Sequence, residues 1–218
     1  MIENRTALLV GATGLVGSFL LKRLIASPAY SRVIAWVRRP LAATDPKLAV
    51  EIVDFDHLEE HRIDGEDVYC CLGTTIKQAG SQEAFRRVDF AYPVALARRA
   101  VEDGVRRLFV VSALGANAHS SVFYSRVKGE MEQAVRACGV PQTYFFRPSL
   151  LDGPRKESRV GERIGSLVGS LLGPLLGKYR PIQADAVAEA MLVVATQDLE
   201  AGIYESGRLR ELTGKQVP

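Results

Sequence analysis

The chain has 218 residues, 47% of them apolar and 24% charged, with a net charge of +3. That is enough chain for a single domain with a real core, and the composition is that of a globular protein. The charge is too small, and the arginines (21 against 7 lysines) too scattered, to point to nucleic acid. Three cysteines, adjacent at Cys70 and Cys71 and single at Cys138, make no disulfide framework and read as reduced, buried thiols of a cytoplasmic protein. The opening "MIENRTALLVGATG" has too short an apolar run for a signal peptide. The uncharged apolar stretch Ile164 to Gly177 is broken by glycines and Pro174 and is too short to span a bilayer.

Along the chain, "TALLVG" (6–11) is an apolar run ending in glycine and predicts a buried strand. Residues 14–27 follow with helical periodicity at Leu15, Phe19, Leu20 and Leu24. "RVIAWV" (32–37), "LAVEIVDF" (48–55) and "DVYCCLG" (67–73) read as the second, third and fourth strands. A long helix is expected over about 82–103, ending at Gly104 and broken or kinked at Pro93. "RRLFVVSA" (106–113) reads as the fifth strand, 121–138 as a helix closed by Gly139, and "QTYFFRP" (142–148) as the sixth strand. Strands alternating with helices imply right-handed crossovers and a parallel sheet covered on both faces. From residue 149 the pattern changes to turn signals, charges and an apolar Gly-rich stretch, then a helix at 184–196 and a short strand or extended piece at 202–207. The expectation is one doubly wound α/β domain over 1–218, with 149–218 contributing a small C-terminal lobe.

The first βα loop, "VGATGLVGSFLL", carries Gly11, Gly14 and Gly17 as G-x-x-G-x-x-G. Glycine at the turn permits unusual backbone angles, glycine at the helix start lets a pyrophosphate approach, and a third lets helix and strand pack closely. The helix N-terminus offers free N–H groups to phosphate, and Thr13 could add a hydroxyl. This points to dinucleotide binding. The second strand ends in Arg38, Arg39 and Pro40 with no carboxylate. In a dinucleotide fold that strand end faces the adenosine ribose, where arginine attracts a 2′-phosphate and an acid would repel it. NADP(H) is therefore the expected cofactor. In "FYSRVKGEME" (123–132), Tyr124 and Lys128 are four apart, on one helix face.

These features together resemble the Rossmann-fold short-chain dehydrogenase/reductase superfamily, in its extended and atypical branches. Ser112 at the fifth strand end, twelve residues before Tyr124, and Tyr124 with Lys128 are similar to the superfamily's Ser and Y-x-x-x-K. "GATGLVG", "VRRP", "VDFDHL", "CCLGTT", "RVDFAY", "VKGEME", "FRPSLL" and "ESRVGE" resemble, in order and spacing, the Tat-interacting-protein-like oxidoreductases. The resemblance implies cofactor contacts at Gly11, Thr13, Gly14, Leu15, Val16 and Gly17, and at Arg38 and Arg39. It implies Asp54 beside the adenine, and Leu72, Gly73 and Thr74 under the adenine ribose. Tyr124, Lys128, Pro148, Leu151 and Arg159 would lie toward the nicotinamide.

The resemblance also implies the chemistry. The Lys128 ammonium would hold the nicotinamide ribose and favour the phenolate of Tyr124, and Tyr124 would exchange a proton with a carbonyl or alcohol oxygen as hydride moves. Ser112 would hydrogen-bond the same oxygen. Many superfamily members carry an asparagine in a proton relay where this chain has Asp89. The alternative function is an NADPH-binding regulatory or assembly protein with little turnover. The expected partners are a small-molecule substrate and a second copy in a homodimer, with residues 150–180 as a lid or subunit contact, or else a core helix at 163–177. His57 and His61, four apart, lack a third ligand and carry no metal site. His119 reads as loop surface, and Cys70 and Cys71 as core.

Overall fold

The computed structural model describes residues 4–152 and 179–214. Seven strands form one sheet: β1 (Arg5–Val10), β2 (Tyr30–Val37), β3 (Leu48–Ile52), β4 (Asp67–Cys70), β5 (Arg107–Val111), β6 (Gln142–Arg147) and β9 (Ile203–Glu205). Their order is β3-β2-β1-β4-β5-β6-β9 and every pairing is parallel. The short β7 (Leu151–Asp152) and β8 (Ile182–Gln183) pair with each other. This is the doubly wound sheet the alternation implied. Its strand order reverses between β1 and β4, and open sheets of this kind bind ligands at such a reversal, beyond the C-terminal strand ends.

Successive β1 residues point to opposite faces, and each face has its own core. Ala7 and Leu9 pack with Val16, Leu20 and Leu24 of α1 (Leu15–Ala26) and with Val187, Met191 and Val194 of a C-terminal helix, Ala184–Thr196. Leu8 and Val10 pack with Leu96, Ala97 and Ala100, and with Met131 and Val135. Each fully buried leucine contributes roughly 1.5–3 kcal/mol. Aromatic rings continue the first face across the sheet: Tyr69 stacks on Phe109 at 4.6 Å and Phe109 on Tyr144 at 4.5 Å.

Gly11 and Gly17 fix the first turn. Gly11 has φ +89°, and a Cβ on Gly17 would lie 2.1 Å from the Gly11 carbonyl oxygen. Because that obstacle is backbone, Gly17→Ala is expected to destabilise the fold by about 1–3 kcal/mol, the usual cost of overpacking. Chemical denaturation checks it: an unchanged midpoint would show that the turn can open freely.

The third strand ends at Ile52, earlier than the sequence suggested, because Asp54 caps a 3₁₀ turn at Phe55–Glu60 by accepting from the Asp56 N–H. After β4 come the short α2 (Ile76–Ala79) and α3 (Gln82–Arg86), then a π-helical turn at Arg87–Ala91 running into α4 (Tyr92–Glu102). The irregularity expected at Pro93 thus sits one turn earlier. Pro93 has no N–H to give the carbonyl four residues back, and the ladder is already shifted, with Tyr92 N–H bonding the Arg87 carbonyl.

Helix α5 (Phe123–Cys138) follows β5 and ends at Gly139, as expected. In the C-terminal stretch, α6 (Ala184–Thr196) covers α1, and β9 extends the main sheet beside β6. A further helix, α7 (Ser206–Thr213), was not expected from "SGRLRELT", which is polar apart from its leucines.

Candidate functional site

The candidate nucleotide half is built by the turns after β1, β2, β3 and β4. Gly14 caps α1 in an extended conformation, and no acidic residue occupies the helix's first turn. The N–H groups of Leu15, Val16 and Gly17 therefore belong to an N-terminus with an uncompensated partial positive charge. Arg38 and Arg39 are exposed beyond β2. Arg38 lines a groove of about 400 Å³ with Ile52, Val53, Asp54, Phe55, Asp56 and Tyr92. Asp54 and Phe55 thus share a cavity with Arg38, and Tyr92 closes it by donating to Asp56 Oδ1 at 2.8 Å.

The segment after β4 lies against the first turn. Cys71 N–H bonds the Val10 carbonyl at 2.8 Å, with Leu72 half-buried and Gly73 exposed after it. Thr74 N–H donates to Asp89 Oδ2 at 2.9 Å. The burial of Cys70 pushes its thiol up to about 11, and the thiol of Cys71 is raised in the same way. Both are protonated core thiols near neutral pH.

The other half is built on α5. Spacing of four places Tyr124, Lys128 and Glu132 in one row along it. Tyr124 is 37% exposed and its ring packs 5.6 Å from that of Phe85, whereas Lys128 is 3% exposed. The Lys128 ammonium lies 2.7 Å from Asp89 Oδ1. Burial works against its charge, but the Asp89 carboxylate and Tyr124 outweigh that and hold the ammonium above its ordinary range. Asp89 reaches it from the π-helical turn, and π-bulges recur at functional sites.

Ser112 is 4% exposed, and its hydroxyl donates to Glu132 Oε1 at 2.5 Å. Arg147 grips the same carboxylate through Nε at 2.9 Å and Nη2 at 2.6 Å. Tyr124 and Lys128 thus sit together, while Ser112 faces the next turn of the helix. The β5 and β6 turns are joined by Leu114 N–H to the Pro148 carbonyl at 2.8 Å, which places Pro148 beside this cluster. Leu151 is partly buried in β7 against the core. Arg159 and most of 150–180 lie outside the described residues.

Glu132 and Arg147 were not singled out from the sequence. The available signal was that Glu132 stands four residues after Lys128, on the face already identified.

Residues 11–198 match the model of an NAD(P)H-binding family. The chain is 36% identical to Protein HTATIP2 of Rattus norvegicus over 74% of this chain and 69% of that protein. It is 30% identical to the mitochondrial protein FMP52 of Debaryomyces hansenii over 90% of each. Among solved structures it resembles MoeE5 in complex with UDP-glucuronic acid and NAD, with a TM-score of 0.69 and 18% identity, covering 97% of this chain and 82% of that one. That likeness concerns the fold alone. With the glycine turn, the helix N-terminus and the strand order in place, the match identifies the chain as a member of the NAD(P)H-binding family that includes the HTATIP2 and FMP52 proteins.

Proposed function

We propose that the protein is an NADP(H)-dependent oxidoreductase that moves hydride between the cofactor and a small carbonyl or alcohol, with Tyr124 exchanging the proton. The observation that carries this is the pairing on α5. An exposed phenol stands one turn from a buried, charged ammonium, on the rim where a doubly wound sheet binds dinucleotides. The bound cofactor would supply the hydride donor or acceptor.

The chain's own residues do the rest. The N–H groups at the start of α1 hold the pyrophosphate, the Lys128 ammonium donates to the ribose hydroxyls, and Tyr124 gives or takes the proton at the substrate oxygen. A turnover screen on aldehydes, ketones and quinones tests the reading, and cofactor oxidation with none of them counts against it.

The 2′-phosphate preference rests on Arg38, which lines the adenosine groove and has no ion-pair partner among the described residues. A charge-assisted hydrogen bond contributes roughly 1.5–3 kcal/mol, so Arg38→Ala is expected to weaken NADPH binding by about tenfold or more. NADH binding should change little. Fluorescence titration with both cofactors checks this, and equal wild-type dissociation constants would remove the assignment.

A second reading is favoured by one observation. Ser112 spends its only hydroxyl proton on Glu132, so it offers no donor to a substrate carbonyl. An NADPH-binding regulatory or assembly protein with little turnover fits that arrangement. A clear cofactor difference spectrum without turnover on any substrate class would select it. We place the protein in the cytoplasm on its three free thiols; cell fractionation tests this against the mitochondrial location in the names of the fungal relatives.

A further inference from the structure

Asp89, in the π-helical turn before α4, is an acidic side chain sealed in the protein, 1% exposed. One oxygen lies 2.7 Å from the Lys128 ammonium, and the other accepts the Thr74 N–H at 2.9 Å. A buried charge persists only when paired, and these two groups pair with each other. The remaining neighbours leave that balance intact. Cys70 of β4 is a protonated thiol, Arg86 of α3 is paired with Glu130 of α5, and Glu132 is held by Arg147. Tyr124 therefore faces a neutral ammonium–carboxylate pair, not an isolated cation.

We propose that Asp89 is a positioning residue that neutralises Lys128 and so adapts Tyr124 to proton donation, making this a site for carbonyl reduction. The inference rests on the oxidoreductase reading above. In the step, hydride adds to the carbonyl carbon, the C=O π pair takes the Tyr124 proton, and the reduced cofactor becomes oxidised. The alcohol leaves, and solvent reprotonates the phenolate. Asp89 also ties Lys128 to the Thr74 segment, so the lysine is placed before any ligand arrives.

The test needs neither cofactor nor substrate. The ultraviolet phenolate band of Tyr124 is isolated as the difference between each protein and its Tyr124→Phe counterpart, and is titrated with pH. Asp89→Asn keeps an acceptor for Thr74 but leaves the ammonium unbalanced, so the phenolate should appear about one pH unit or more lower than in wild type, the usual effect of a nearby opposite charge. An unchanged midpoint overturns the proposal.

Should Asp89→Asn not fold, Asp89→Leu combined with Lys128→Met removes both charges, a replacement that buried pairs often tolerate. The proposal then requires a midpoint close to wild type, and a rise of about one unit or more would show that Lys128 had acted as an uncompensated cation. Because the titration is made on the unliganded protein, its failure is distinct from failure of the oxidoreductase reading, which the turnover screen decides.

Discussion

Tyr124→Phe is expected to lower hydride transfer by about 10²–10⁴-fold, the contribution of a positioned acid–base group, with cofactor affinity close to wild type. The substitution removes one hydroxyl and leaves the ring on Phe85, where its packing distance of 5.6 Å does not involve the oxygen. Lys128 keeps its 2.7 Å pairing with Asp89, so the ammonium proposed to bind the ribose stays in place. Pre-steady-state kinetics separate the chemical step from release, and fluorescence titration gives the affinity. A loss confined to KM would assign Tyr124 to binding; wild-type turnover would remove it from the reaction.

The fold was legible because it is written in local periodicity. Alternating apolar strands and 3.6-residue helices dictate a parallel sheet, and Gly11, Gly14 and Gly17 mark the turn proposed to meet the cofactor. The pairing of Tyr124 with Lys128 was legible for the same reason, since helix geometry converts a spacing of four into a shared face. What escaped depends on contacts between segments distant in sequence. Nothing near Ser112 shows that its proton goes to Glu132, twenty residues on. Nothing in "RVDFAY" shows that a π-helical turn aims Asp89 at Lys128. The seventh strand was missed as a sheet member because Ile203–Glu205 is only three residues long and gains its meaning from β6.

The same limit hid a second polar cluster, at the opposite end of the sheet, and its disruption carries the largest expected effect on stability. Asp67, at the start of β4, is fully buried. Arg107 at the start of β5 binds it through two bonds, Nε at 2.5 Å and Nη2 at 2.6 Å, and reaches the Ala195 carbonyl of α6 at 2.9 Å. The Tyr30 hydroxyl also donates to Asp67 and meets the Tyr69 hydroxyl at 2.7 Å. Arg107→Met keeps a long apolar side chain but strands the carboxylate, and removing one partner of a buried pair typically costs about 3–5 kcal/mol. Denaturant unfolding should show that loss at neutral pH. Burial already pushes the Asp67 carboxyl up to about 7, against the pull of Tyr30 and Arg5, and without Arg107 it rises further. A carboxyl whose folded value lies above its unfolded value of about 4 binds more protons when folded, so its stability contribution is complete at acid pH and is lost as pH rises through the folded value. The deficit of Arg107→Met against wild type should accordingly shrink toward pH 5 and widen toward pH 8, within the window where such a carboxyl titrates. A deficit independent of pH would mean that Arg107 acts through the Ala195 carbonyl and its packing, not through its charge on Asp67.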